Sequence, residues 1–405
     1  MTQKKLIGIL SIVLVMLMML CMQTINTLKL ALLVPILLYC LKKARVHRKV
    51  VFLCSFLCLS TLWGCMIGLF RNTEYPFYSI TVGILWPVFS LIISSVLLKT
   101  EKDFKALVKW MFVMHVFLMV YDTVFALSVI QGFPMINLYP ETESAFSFYD
   151  TMARMNFDNL NVLTFTTPLF FILWITRYEF GVSRKIQTLV ILFNFFFLIF
   201  CGRRSLVAVF LLTPIFAIFI RKSLPAEIGK ASMKYLVFFI VIIIGAISYI
   251  YVKSPDVFES NVQNFTNAFD SDVESTKFVQ QKMLWAYFQE SPITGKGSGA
   301  VFYEPARGIK QHQWELTYFL LLATRGIIGF VLYLIGVAGV LFVGLKYAKN
   351  NKDILYLSML FAYFFILLAD ATNPVLCSFD LMLPLYLVYA KLNMSLLSKN
   401  CIYEK

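Results

Sequence analysis

Residues 200–206 read FCGRRSL and set Arg203 beside Arg204 between the apolar runs IQTLVILFNFFFLIF and LVAVFLLTPIFAIFI. Guanidinium groups are permanently charged, forked donors that match phosphate oxygens. Two of them in one tight turn repel each other, and an arginine at a membrane centre costs ~2.5–3.5 kcal/mol, less at an interface. An anion bound at the turn would relieve both costs; so would snorkelling, or pairing with Asp150, Asp158 or Glu315. A second constellation lies in SPITGKGSGAVFYEPARGIKQHQWELTYFLLLATRGIIGFVLYL, residues 291–334, where Arg307, Lys310, His312 and Glu315 fall close together. If QHQWELTYFLLL is helical, His312 and Glu315 stand at i and i+3 on one face. Imidazole relays a proton near neutral pH, and a carboxylate beside it can orient the ring or serve as the base itself. A purely structural histidine is the plainer alternative. GKGSG, residues 295–299, lacks the spacing of a nucleotide-gripping loop. It suits a turn that brings backbone close to backbone or to a ligand.

These residues need a scaffold, and composition says which kind. The chain is 60% hydrophobic and 14% charged, with mean hydropathy +0.77. A soluble domain carries roughly 25% charged residues, so lipid must solvate most of this one. The apolar runs approach the ~20 residues that cross a bilayer, and they lack two-residue alternation. Helices, not barrel strands, are expected. About twelve transmembrane helices account for the runs, at 6–22, 27–41, 50–70, 78–98, 106–130, 160–176, 186–201, 205–220, 235–252, 326–345, 354–369 and 380–396. The fold class is thus all-α and polytopic, one integral membrane domain over 1–405.

The net charge of +14 gathers in KKARVHRK, KTEKDFK, RKSLPAEIGK and KYAKNNK. That is the positive-inside pattern, and it points to orientation instead of nucleic acid. It places both termini in the cytoplasm, with a basic, uncleaved first span at the N-terminus. Lys29 and Lys109 fall near span ends, where long side chains can snorkel. The long external loop between spans nine and ten, 253–325, is expected to carry amphipathic helices, and 131–159 forms a smaller external loop. In KFVQQKMLWAYFQESP, residues Phe278, Trp285 and Phe288 recur at helical spacing, as on a helix lying in the membrane interface or packed on the bundle. Neither the cysteines nor the three histidines show metal-ligand spacing, so no metal site is expected.

GRRSLVAVFLL opening a span, a long external loop, a Gly-rich turn, a histidine and a GIIG-started span together resemble the O-antigen polymerase and ligase superfamily. DATNPVLCSFD resembles the Asn-Pro stretch of polysaccharide repeat-unit polymerases of the Wzy type. The resemblance spans the whole topology through short motifs. It implies a glycosyltransferase of the bacterial plasma membrane that works on its outer face without metal or cofactor. The donor would be a glycan on undecaprenyl diphosphate and the acceptor a sugar hydroxyl of another lipid-linked repeat unit. A chain-length regulator and a flippase would be partners. Arg203 and Arg204 would stabilise the departing diphosphate, Arg307 and Lys310 would grip a second diphosphate or acidic sugar, and His312 or Glu315 would take the acceptor proton. Lys282, Arg325 and Asn373 are secondary candidates. Gln313 follows His312 where ligases carry Asn. Glu315 stands at the ligase histidine's distance from Gly326, and Gln281 and Lys282 precede Trp285 where ligases often carry Arg. These departures favour a polymerase over a ligase. A flippase, the alternative from another class, would be expected to line mid-membrane positions with ionisable residues, of which span five offers His115 and Asp122.

Overall fold

The computed structural model describes residues 3–22, 24–138, 146–149, 152–155, 159–200, 206, 208–214, 226–253, 255, 259, 262, 276–304 and 308–403. The chain is mostly helical. In order come α1 (Gln3–Leu20), α2 (Asn26–Leu41), α3 (Arg48–Phe70), a π-helical turn (Thr81–Leu85) running into α4 (Trp86–Leu97), and α5 (Glu101–Gln131). The strands β1 (Phe146–Tyr149) and β2 (Met152–Met155) form an antiparallel hairpin. Then follow α6 (Leu160–Ile175), α7 (Arg184–Phe200) and α8 (Ala226–Lys253). The remaining elements are α9 (Thr276–Glu290), β3 (Phe302–Glu304) paired with β4 (Ile309–Gln311), α10 (Thr317–Asn351), α11 (Ile354–Asp370) and α12 (Leu383–Tyr403).

Among the described residues, five helices are long and apolar enough to cross a bilayer: Gln3–Leu20, Arg48–Phe70, Glu101–Gln131, Leu236–Lys253 and Thr317–Asn351. Asn26–Leu41, Thr81–Leu97, Leu160–Ile175 and Ile354–Asp370 are apolar but shorter. The protein is therefore an all-α membrane protein at this level. Of the expected span at 205–220, only 206 and 208–214 fall within the described residues.

Local chemistry fixes where the helices begin. Thr100 and Asp103 form a reciprocal capping box that opens α5. Asp353 caps α11 by accepting from the Tyr356 N–H at 2.9 Å. Every residue of α6 except Asn161 is buried, which matches its apolar character all round and makes it an interior helix of the bundle. It packs on α11, α7 and α5. By contrast α3 has one buried stripe, Val50, Leu53, Leu57, Ser60, Thr61, Gly64 and Gly68, at helical spacing. That stripe lies against α10.

Contacts between loops sort into two ends. At one, Thr73 Oγ1 donates to the Ser298 carbonyl at 2.7 Å, and Lys277 Nζ donates to the Thr372 carbonyl at 2.7 Å. At the other, the Asn393 amide holds the Arg45 carbonyl at 3.2 Å and the His47 N–H at 2.7 Å. Lys391 is buried there and pairs with Glu101 and Asp353.

Two expectations need correction. Lys29 does not snorkel: it is buried, its ammonium 2.5 Å from Asp380 and donating to the Cys21 carbonyl. A carboxylate inside the bundle offers a closer anion than the interface does. A helical stretch from Thr317 precedes the expected span at 326–345 and meets it at Gly326. Finally, His312 and Glu315 precede that helix and so do not share a helical face.

Candidate functional site

Position 326 organises the site. Inside α10, Gly326 takes φ +59° and ψ −172°, a conformation essentially reserved for glycine, and the helix breaks there. A break in a membrane helix frees backbone groups that lipid cannot satisfy. Here protein satisfies them. The N–H groups of Lys296 and Gly297 donate to the Ala323 and Thr324 carbonyls at 2.8 Å each, and Trp63 Nε1 donates to the Arg325 carbonyl at 3.0 Å. Beyond the break, the Ile327 N–H donates to the Pro292 carbonyl at 2.8 Å. The GKGSG turn therefore plugs the broken helix, its backbone meeting backbone as the sequence suggested. Gly297, with φ +96°, also lies so close to α3 that a Cβ would stand 2.5 Å from the Gly68 Cα.

Gly326→Ala should be badly tolerated. Its Cβ would fall 2.3 Å from the Ile293 carbonyl oxygen, in a backbone conformation that itself costs of order 1–3 kcal/mol for a residue with a side chain. We expect a clear drop in the unfolding temperature of the purified protein and loss of function with it. Unchanged unfolding would show that the break is not maintained in the membrane.

The break aims Arg325 sideways into the bundle. Its side chain is buried, and Nη1 donates to Ser60 Oγ at 2.9 Å and to Thr61 Oγ1 at 3.4 Å. Both partners are neutral; among the described residues no carboxylate lies in ion-pair range of this guanidinium. A buried charge without a counter-charge is costly, and proteins seldom keep one without use.

Arg325 lines a cavity of about 540 Å³ with Thr61, Tyr78, Glu315, Thr317 and Tyr333. The cavity sits at the end of the bundle that carries 73–79, 277–298 and 370–380. Glu315, partly exposed, has Lys277 Nζ at 3.5 Å. Lys277 in turn donates to the Asn373 side-chain oxygen at 3.3 Å, which ties α9 to the Asn-Pro turn. Beneath, buried Asp370 accepts from Thr317 Oγ1 and the Tyr333 hydroxyl, at 3.3 Å each, and from the Leu376 N–H at 2.9 Å. One carboxylate thus fixes both arms of α10 and the turn after α11. Beside the cavity, between its lining residues Gln311 and Gln313, His312 lies against Tyr75 and Tyr78, ring centroids 4.9 and 5.0 Å away. The Glu74 carboxylate accepts from the Tyr75 hydroxyl at 2.5 Å and raises that phenol above its usual pKa.

The expected site residues divide. Glu315 and Arg325 line the cavity, His312 stands beside it between the lining residues Gln311 and Gln313, and Asn373 joins through Lys277. Lys310 is exposed on β4 and Lys282 is exposed with its ammonium 4.2 Å from the Phe278 ring centroid; neither lines the cavity. Arg203, Arg204 and Arg307 lie outside the described residues. In the α9 helix, Leu284 and Phe288 pack inward while Trp285 is exposed. Sequence reasoning missed Ser60, Thr61, Tyr78, Tyr333 and Asp370. The only signal for the first two was a pair of hydroxyls in the apolar run SFLCLSTLWG.

A larger cavity of about 660 Å³ runs between α1, α2, α4, α5 and α12. Leucine, isoleucine and valine are its commonest lining residues, with Lys4, Lys43, Lys99 and Asp103 contributing charge. Its apolar stretch suits a lipid chain. No family model matches this chain, and neither does any curated protein.

Proposed function

We propose that this protein is an oligosaccharide repeat-unit polymerase. It transfers a growing glycan from undecaprenyl diphosphate to a sugar hydroxyl of another lipid-linked repeat unit on the outer face of a bacterial plasma membrane. The observation that carries the reading is Arg325, a buried guanidinium whose partners among the described residues are hydroxyls, lining a cavity that also holds a carboxylate. Twelve spans, cytoplasmic termini and an external 253–325 segment belong to the same proposal.

In the reaction the bond between the anomeric carbon and the diphosphate oxygen breaks, and its electron pair leaves with the diphosphate. The acceptor oxygen forms the new bond to that carbon, and its proton passes to Glu315. Arg325 stabilises charge growing on the leaving group, where a fixed donor does most for the rate. Arg203, Arg204 and Arg307 are proposed to add to this anion site. Lys277 holds the Glu315 carboxylate in place, and Asp370 holds the helix arms and turn around it.

Deleting the gene and running surface glycan on a gel tests the reading. A single repeat unit on its anchor supports a polymerase, glycan left unattached means a ligase, and accumulation on the inner leaflet means a flippase. Complementation with Glu315→Gln should restore protein but not long chains, a loss of about 10²–10⁴-fold in rate for a general base. Full-length polymer from that variant would remove Glu315 from the proposed role.

A further inference from the structure

We propose that Tyr75, His312 and Tyr78 form a saccharide-binding platform beside the cavity, and that His312 serves there as a stacking ring and not as the proton acceptor. The sugar would be a pyranose of the acceptor glycan, an identity that rests on the polymerase reading. The platform itself rests on geometry. The His312 ring is tilted 39° to Tyr75 and meets Tyr78 edge-on at 76°. Tyr75 and Tyr78 remain 44% and 39% exposed, which leaves much of their surface uncovered. Pyranose rings carry C–H groups that pack on such aromatic surfaces, while their hydroxyls need nearby polar edges. Gln311, Gln313 and Glu315 supply those edges around the same cavity.

The segment bearing His312 is held firmly. Fully buried Glu304 on β3 accepts from Gln280 at 2.6 Å and from Gln311 on β4. Buried Trp314 donates its indole N–H to the Gln311 carbonyl at 3.2 Å. His312 is pinned between these anchors and presents its ring to the tyrosines. A histidine that takes protons is normally oriented by a group bonded to its other nitrogen. Among the described residues, nothing hydrogen-bonds either His312 nitrogen, whereas Glu315 is held by Lys277. An aromatic belt at the membrane surface would also place tyrosines here. It would not account for their convergence on a histidine beside amide and carboxylate groups lining a cavity.

The test uses the purified full-length protein and the oligosaccharide released by mild acid from the source strain's surface polysaccharide, titrated by saturation-transfer NMR. Tyr75→Ala, Tyr78→Ala and His312→Ala should each weaken binding about tenfold, in keeping with the size of one aromatic contact. His312→Phe keeps a stacking ring, so it should bind more tightly than His312→Ala, by the same reckoning, and extend chains further than His312→Ala in cells. Unchanged binding by Tyr75→Ala and Tyr78→Ala would overturn the platform in favour of a membrane belt. A His312→Phe variant that binds but fails to extend chains would return proton transfer to His312. If gene deletion leaves the glycan unaltered, the polymerase reading falls, and the titration still decides the platform.

Discussion

Arg325→Met should cut chain extension about 10²–10³-fold, the loss typical when a donor to developing negative charge is removed, while leaving the protein no less stable. The two halves of this expectation come from the same geometry. Burial of a guanidinium with neutral partners costs stability, and replacing a buried charge by an apolar chain of similar length is often neutral or stabilising. Nor would the hydroxyls be stranded. Ser60 Oγ already donates to the Gly329 carbonyl at 2.6 Å, and Thr61 Oγ1 to the Leu57 carbonyl at 3.0 Å. Arg325→Lys should be intermediate, since it keeps the charge and loses the fork. The checks are glycan length in complemented cells and thermal unfolding of the purified variants. A marked fall in unfolding temperature for Arg325→Met would make the residue structural and empty the argument from its burial.

The largest expected effect on stability lies elsewhere. Asp380→Asn should destabilise the protein by about 3–5 kcal/mol, because it leaves the Lys29 ammonium buried without its counter-charge. Both side chains are nearly inaccessible, at 3% and 4%. The pair joins the end of α1, through the Cys21 carbonyl, to the start of α2 and to the segment leading into α12. Neighbouring Phe379 packs tilted against Trp86, with ring centroids 4.9 Å apart, and lines the larger cavity. A double variant, Lys29→Met with Asp380→Leu, should recover most of the loss, since it removes both charges together. Thermal unfolding in detergent of the single and double variants decides the matter. Equal stability of Asp380→Asn and the natural protein would mean that water reaches Lys29 in the membrane.

These two residues show where sequence was informative and where it failed. The apolar runs located almost every described helix, since a hydrophobic stretch in lipid has few ways to satisfy its backbone except as a helix. The Gly-rich turn at 295–299 was legible for a similar reason, because only glycine permits such close approach. Burial was not legible. Lys29 sits near a helix end, where position alone fits an exposed lysine as well as a buried one, and its partner lies 351 positions away. Arg325 ranked behind Arg203 and Arg204 because clustering of charge is visible in a sequence and isolation of one buried charge is not. The His312–Glu315 spacing suggested a shared helical face, but buried Trp314 and Leu316 anchor that stretch ahead of the helix. Ser60, Thr61 and Asp370 became visible as site residues only once α3, α10 and α11 were packed together.

The central claim is that Arg325 holds a lipid-linked diphosphate at the outward end of the bundle. Cryo-electron microscopy of the protein in nanodiscs loaded with undecaprenyl diphosphate tests it most directly. The account predicts phosphate density within hydrogen-bonding reach of the Arg325 guanidinium, and its loss in Arg325→Met. Density instead beside Lys4, Lys43 and Lys99 in the apolar groove, with the Arg325 cavity empty, would contradict it.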